Sequence, residues 1–136
     1  MTISGAMMIE YTTALYSLKA DISLKKEQII ELKMCRKEVK AAKAFLSDAN
    51  HIITQPDLTS HTWFGRLADT FDDLRDEMTS ASQEIKSTQL NNLLNQIDDK
   101  MNDLISGIQS LENEIRSVES KIEKEKQKQM EEKRGN

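Results

Sequence analysis

Residues 90–122 read LNNLLNQIDDKMNDLISGIQSLENEIRSVESKI. Within them Leu90, Leu94, Ile97, Met101, Leu104, Ile108, Leu111, Ile115, Val118 and Ile122 follow one another at steps of four and three. That heptad spacing draws one apolar stripe along a long α-helix, and the stripe needs a second helix to cover it.

The second helix lies upstream. Residues 9–53 contain neither Gly nor Pro, and Leu15, Leu18, Ile22, Ile29, Leu32, Val39, Leu46 and Ile53 fall on one helical stripe. Lys25, Arg36, Lys43 and Asn50 occupy the intervening heptad positions, and Cys35, Ala42, Phe45, Ala49 and Ile52 form an adjacent row. Between the two patterns, Thr54-Gln55-Pro56-Asp57 carries the sole Pro, which removes an N–H donor and pushes the preceding residue extended. Asp57, Thr59, Ser60 and Thr62 add turn and cap chemistry. Helical spacing then resumes at Leu67, Phe71, Leu74, Met78, Ala81 and Ile85. The pattern predicts an all-α fold, a long antiparallel helical hairpin (helix-turn-helix) with an extended, coiled-coil-like second helix. The expected bounds are helix 9–54, bend 55–63 and helix 64–130, with 1–8 an N-terminal extension or cloning scar and 131–136 a flexible tail.

The two rows of the second helix do not share a phase. Extending the Leu67, Phe71 and Ile85 row by heptads predicts Thr88 and Asn92, whereas the second row occupies Leu90 and Leu94. Around Ser87-Thr88-Gln89 the helix must therefore kink, wind differently or change its buried face. A fold-back near residue 60 places Ile9 opposite about Leu111, so Leu111 to Ile122 are expected to want another chain or to bend back. Leu24, Ile30, Phe45 and Leu93 are also left over. A two-helix pair buries one stripe per helix, which makes oligomerisation into a bundle the expectation.

Composition removes several function classes. The chain has 136 residues, 38% hydrophobic, 31% charged and 4% aromatic, which is too little bulky material for a large globular interior. A net charge of −4 argues against nucleic acid, because phosphate binding needs a concentrated basic surface. Residues 119–133 mix Lys, Glu and Gln and read as a solvated, fraying helix. The lone Cys35 has no intramolecular partner, and the sequence shows neither a membrane-spanning apolar run nor a signal-peptide pattern. A cytoplasmic protein without membrane insertion is expected, with export alongside a partner complex as the alternative.

No catalytic constellation emerges. His51, His61 and Cys35 lack metal-ligand spacing. Asp69, Asp72, Asp73 and Asp76 share a helix face and read as complements of the helix N-terminus, with a cation site as the sharper alternative. A phosphate loop and a nucleophile elbow are both missing. The expectation is a non-enzyme with no cofactor and no metal.

Trp63-Phe64-Gly65 carries the single Trp and sits at the expected bend. The plain reading is a packed corner, with Trp63 covering the helix ends and Gly65 allowing close backbone approach. The arrangement Pro56-x-Leu58, Trp63-x-Gly65, Ala68-Asp69 and Phe71-Asp72-x-x-Arg75 resembles the Trp-x-Gly superfamily of helical hairpins handled by type VII secretion in Gram-positive bacteria. Together with Leu32-Lys33 and Arg36-Lys37-Glu38 in the first helix, it resembles in particular the YwqH-like group that accompanies LXG polymorphic toxins. The resemblance covers most of residues 9–125.

It implies a non-enzymatic partner or chaperone. Such a partner binds the helical N-terminal LXG domain of a cognate toxin, often with a second small helical protein, and engages the secretion ATPase indirectly. Trp63, Phe64 and Gly65 would form the bend motif. The partner interface expected from the open seams comprises Leu67, Phe71, Leu94, Ile97, Met101, Leu104, Ile108, Leu111 and Ile115. Charging Leu104, Ile108 and Leu111 is then expected to abolish binding more than it unfolds the hairpin. One departure stands out: the superfamily's aromatic-x-x-x-acid export signal is missing, since no aromatic follows Phe71. The address would lie on the toxin or the second partner. A stand-alone coiled-coil scaffold or tether and a small secreted effector remain as alternatives.

Overall fold

The computed structural model describes residues 3–54 and 65–135, and among them every element is helical. Helix α1 spans Ile3–Thr54, α2 spans Gly65–Glu84, a six-residue π-helical segment spans Ile85–Leu90, and α3 spans Asn91–Arg134. Glu84 and Asn91, on either side of the π segment, both have right-handed helical dihedrals, so the chain stays helical through it. The fold is the all-α helical hairpin that the two heptad patterns demand. Its helices exceed the expected bounds at both termini. α1 already includes residues 3–8, with Met7 and Met8 half-buried, and α3 runs to Arg134. The expected bend, with Trp63 and Phe64, lies outside the described residues.

Residues pack into two compact units, Leu32–Asp99 and Met1–Glu31 with Lys100–Asn136. In the first, Val39 and Ile97 are buried, and Leu32, Leu46, Leu90 and Leu94 are half-buried on the same seam. Two of the polar residues interrupting the α1 stripe find partners across it. Arg36 Nε donates to Asp98 Oδ1 at 2.9 Å, and Lys43 Nζ donates to Asn91 Oδ1 at 2.7 Å. As the number falls in α1 it rises in α3, so the pairing is antiparallel. Position 67 lies halfway between 36 and 98 and equally between 43 and 91, which places the pairing centre later than residue 60.

In the other unit the buried residues are Ile22, Leu104 and Ile108. Leu15, Leu18, Ile29, Met101, Leu111, Ile115, Val118 and Ile122 are half-buried around them. The backbone of α3 comes close to α1 at Gly107, where a Cβ would lie 3.1 Å from Lys25 Cε. The Lys25 stem covers that spot, while its Nζ turns back to Asp21 Oδ1 at 2.9 Å. Farther along, Tyr11 shares an open cleft with Lys121, Lys124, Glu125 and Lys128, and Glu125 continues the seam as a buried carboxylate.

These placements correct the expected register. Ile9 lies two residues from Tyr11 in α1, and Tyr11 faces residues 121–128. Leu111, Ile115, Val118 and Ile122 are therefore covered within the chain. Two facts account for this: α1 starts earlier than expected, and the pairing centre sits later.

The π segment falls where the phase conflict lies. An α-helix turns about 100° per residue, while a π turn accommodates one extra residue. Traced upstream from Leu90 and Leu94 by strict heptads, the seam would carry Asp69, Asp73, Asp76, Ser80, Gln83 and Ser87. The half-buried residues are instead Asp72, Arg75, Thr79, Ser82 and Lys86, each one residue earlier than a strict-heptad position. The sequence mismatch is two residues, and the π segment absorbs one. The row of Leu67, Phe71, Leu74, Met78 and Ile85 thus ends one residue short of the seam, rotated about 100° to its flank.

Candidate functional site

Apolar side chains are unevenly placed in the unit Leu32–Asp99. Phe45 is 71% exposed, Ile52 77%, Met78 54% and Leu74 49%, with Leu67, Phe71, Ile85 and Leu93 also exposed. Six of them stand one residue before a seam position: Phe45 before Leu46, Phe71 before Asp72, Leu74 before Arg75, Met78 before Thr79, Ile85 before Lys86 and Leu93 before Leu94, and Ile52 follows Phe45 by one heptad. In an antiparallel helix pair, one step back from the seam turns both helices toward the same side of the pair. The two rows therefore lie on one face.

The opposite face is fixed by the two hydrogen bonds across the seam. Asp98 and Asn91, which receive Arg36 and Lys43, each stand one residue after a seam position. Lys33, Lys37 and Lys40 on α1, and Asp69, Asp73 and Asp76 on α2, share that phase and are exposed. One side of this unit is apolar and the other is densely charged.

Opposing residues shape the apolar side. Taking Lys43 level with Asn91, Ala49 lies across from Ile85 and Ala42 across from about Asn92. Ala42 and Ala49 put small side chains beside the seam, and Phe45 and Ile52 share their side of α1. The other unit has no continuous apolar face. Ile9, Tyr16, Ile30, Ile105 and Met130 each stand one residue after a seam position, but the exposed Lys19, Lys26, Arg116, Glu119, Glu123 and Lys126 share that phase and break the row, and Leu24 stands on the other side.

The expected interface separates accordingly. Leu67 and Phe71 belong to the exposed row. Ile97, Leu104 and Ile108 are buried within the chain, and Leu94, Met101, Leu111 and Ile115 are half-buried on the same seam. Those seven cover α1 and offer a partner little surface, which reverses the expected effect of charging Leu104, Ile108 and Leu111. Gly65 opens α2. Phe45, Ile52, Leu74, Met78, Ile85 and Leu93 were not among the expected interface residues. Their signal is the row one residue ahead of the seam in both helices.

Among the described residues no cluster of His, Cys, Asp or Glu is placed to hold a metal ion, and no helix is long and apolar enough to cross a membrane. Asp72 turns toward the seam while Asp69, Asp73 and Asp76 are exposed, so the four carboxylates do not converge.

The sequence matches a known family model over residues 11–129. The chain belongs to the YwqH-like family. A curated relative, Protein YxiB of Bacillus subtilis (strain 168), is 39% identical over 46 residues, which cover 34% of this chain and 38% of YxiB. The match thus spans well under half of either protein. No solved structure matches this YwqH-like chain.

Proposed function

We propose that this YwqH-like chain is a non-enzymatic targeting partner. In this reading it binds the helical N-terminal LXG domain of a cognate polymorphic toxin and promotes its type VII secretion. The observation that carries the reading is the aligned apolar face of the unit Leu32–Asp99, where large side chains are 38% to 77% exposed. Transferring such side chains from water to a helical partner is the main driving force available to this molecule. Family membership supports the nature of the partner, since the YwqH-like group resembles the companions of LXG toxins. Residues 72–136 hold no aromatic to carry an aromatic-x-x-x-acid signal, and in this reading the export address is supplied by the toxin or a second small helical protein.

Co-expression of the full chain with the N-terminal domain of the toxin encoded beside it tests this directly. A stable complex on size-exclusion chromatography, and loss of toxin export when the chain is deleted, are expected. A chain that elutes alone or as a homodimer, with export unaffected by its deletion, contradicts the proposal.

A further inference from the structure

The charge around the apolar face of the unit Leu32–Asp99 has one sign. On α1 the exposed residues bordering or interrupting the row are Met34, Cys35, Glu38, Ala41 and Asp48; on α2, the π segment and α3 they are Thr70, Glu77, Glu84, Thr88, Gln89, Asn92, Gln96 and Asp99. Among the described residues of that face there are five carboxylates and no Lys or Arg. The basic residues of this unit lie elsewhere. Lys33, Lys37, Lys40 and Arg66 take the opposite face, while Arg36, Lys43, Arg75 and Lys86 occupy the seam.

We infer that this face takes a single amphipathic helix whose apolar stripe is flanked by Lys or Arg. The inference deepens the partner reading above and rests on it for the source of the helix. Small side chains at Ala42 and Ala49 between the exposed Phe45 and Ile52 of α1 and the exposed Ile85 and Leu93 across from them suit the docking of a helix along the pair. From Leu67 to Leu93 the apolar row extends roughly 39 Å at 1.5 Å per residue, room for about seven turns of a partner helix. Glu38, Asp48, Glu77, Glu84 and Asp99 then meet the basic flanks, which sets orientation and excludes acidic helices. A second copy of this chain fits poorly, because a face-to-face dimer would oppose two acidic rims. An anionic lipid surface fails on the same ground.

Two synthetic peptides of about seven helical turns make the probe. They share one Leu/Ile heptad stripe and differ only in carrying Lys or Glu at the flanking positions. Titrated by fluorescence anisotropy against the full chain, the Lys-flanked peptide binds at least about tenfold tighter. Replacing Glu38, Glu77 and Glu84 by Gln narrows that preference and keeps the helical circular dichroism unchanged. A chain carrying Phe45→Glu and Met78→Glu loses both peptides.

Equal binding of the two peptides, undiminished binding by the Phe45→Glu, Met78→Glu chain, or a homodimer dispersed by Phe45→Glu overturns the inference. The two readings fail separately. If the toxin domain ignores the wild-type chain while the Lys-flanked peptide binds at this face, the toxin reading falls and the docking inference stands. If the toxin domain binds every face variant equally, the docking inference falls and the toxin reading stands.

Discussion

Removing Ser87 and Thr88 together makes the hairpin more stable and abolishes partner binding. The π segment Ile85–Leu90 absorbs one residue of a two-residue phase mismatch, which leaves Met78 and Ile85 on the flank of the seam. Deleting both residues brings the Leu67, Phe71, Leu74, Met78 and Ile85 row into heptad phase with Leu90 and Leu94. Met78 and Ile85 then pack against α1, and a straight α-helix replaces the π turn. Burying two side chains now 54% and 38% exposed stabilises the fold by about 2 kcal/mol. The docking face loses its α2 wall, and partner affinity falls by about a hundredfold or more, the order seen when several central apolar contacts are lost. Deleting Ser87 alone is the control. It removes the extra residue of the π turn, keeps the upstream row on the flank and preserves binding. Chemical denaturation followed by circular dichroism, with titration of the partner, reads both effects; a double deletion that still binds fully contradicts the phase argument.

Leu104→Ala lowers stability by about 3 kcal/mol, at the lower-middle of the range for buried Leu truncations. Leu104 is 5% exposed and sits between Met101 and Ile108 on the seam of the unit Met1–Glu31 with Lys100–Asn136. That seam is thin. Its buried apolar residues are Ile22, Leu104 and Ile108, none of them fully enclosed, so a cavity there has few neighbours able to close it. Phe45→Ala, at a residue 71% exposed, changes stability by about 0.5 kcal/mol or less. Urea midpoints of the two variants separate the cases. Equal midpoints would show that the Leu104 seam is not an internal one.

The stripes themselves were legible because long helices reveal their buried side by period alone. Leu15, Leu18, Ile22 and Val39 on α1, and Ile97, Leu104 and Ile108 on α3, stand where the heptads put them. The phase break around Ser87-Thr88-Gln89 was legible too, since two apolar rows in one helix cannot both follow one heptad frame. Register was not. Periodicity says which residues face a partner helix but not which partner residue they meet, and that depended on the Arg36–Asp98 and Lys43–Asn91 pairs and on the extent of α1. The misplaced register made an internal seam look open from Leu111 to Ile122 and drew the expected interface onto Leu104 and Ile108. The exposed apolar face escaped notice for a related reason. Phe45 and Ile52 form a row with Ala42 and Ala49 in α1, and Met78 and Ile85 form another in α2. Only the antiparallel pairing shows that the two rows look the same way.

That shared face is the centre of the account, and site-specific photo-crosslinking tests it most directly. A benzophenone side chain is placed at Phe45 or Met78 on the face, or at Tyr16 or Ile105 in the other unit, and the full chain is irradiated in complex with the toxin N-terminal domain. All four positions are exposed, at 71%, 54%, 79% and 42%, so accessibility alone does not favour the first pair. The account predicts crosslinks to the toxin domain from Phe45 and Met78 and none from Tyr16 or Ile105. Crosslinks from Tyr16 and Ile105, with none from Phe45 and Met78, would contradict it.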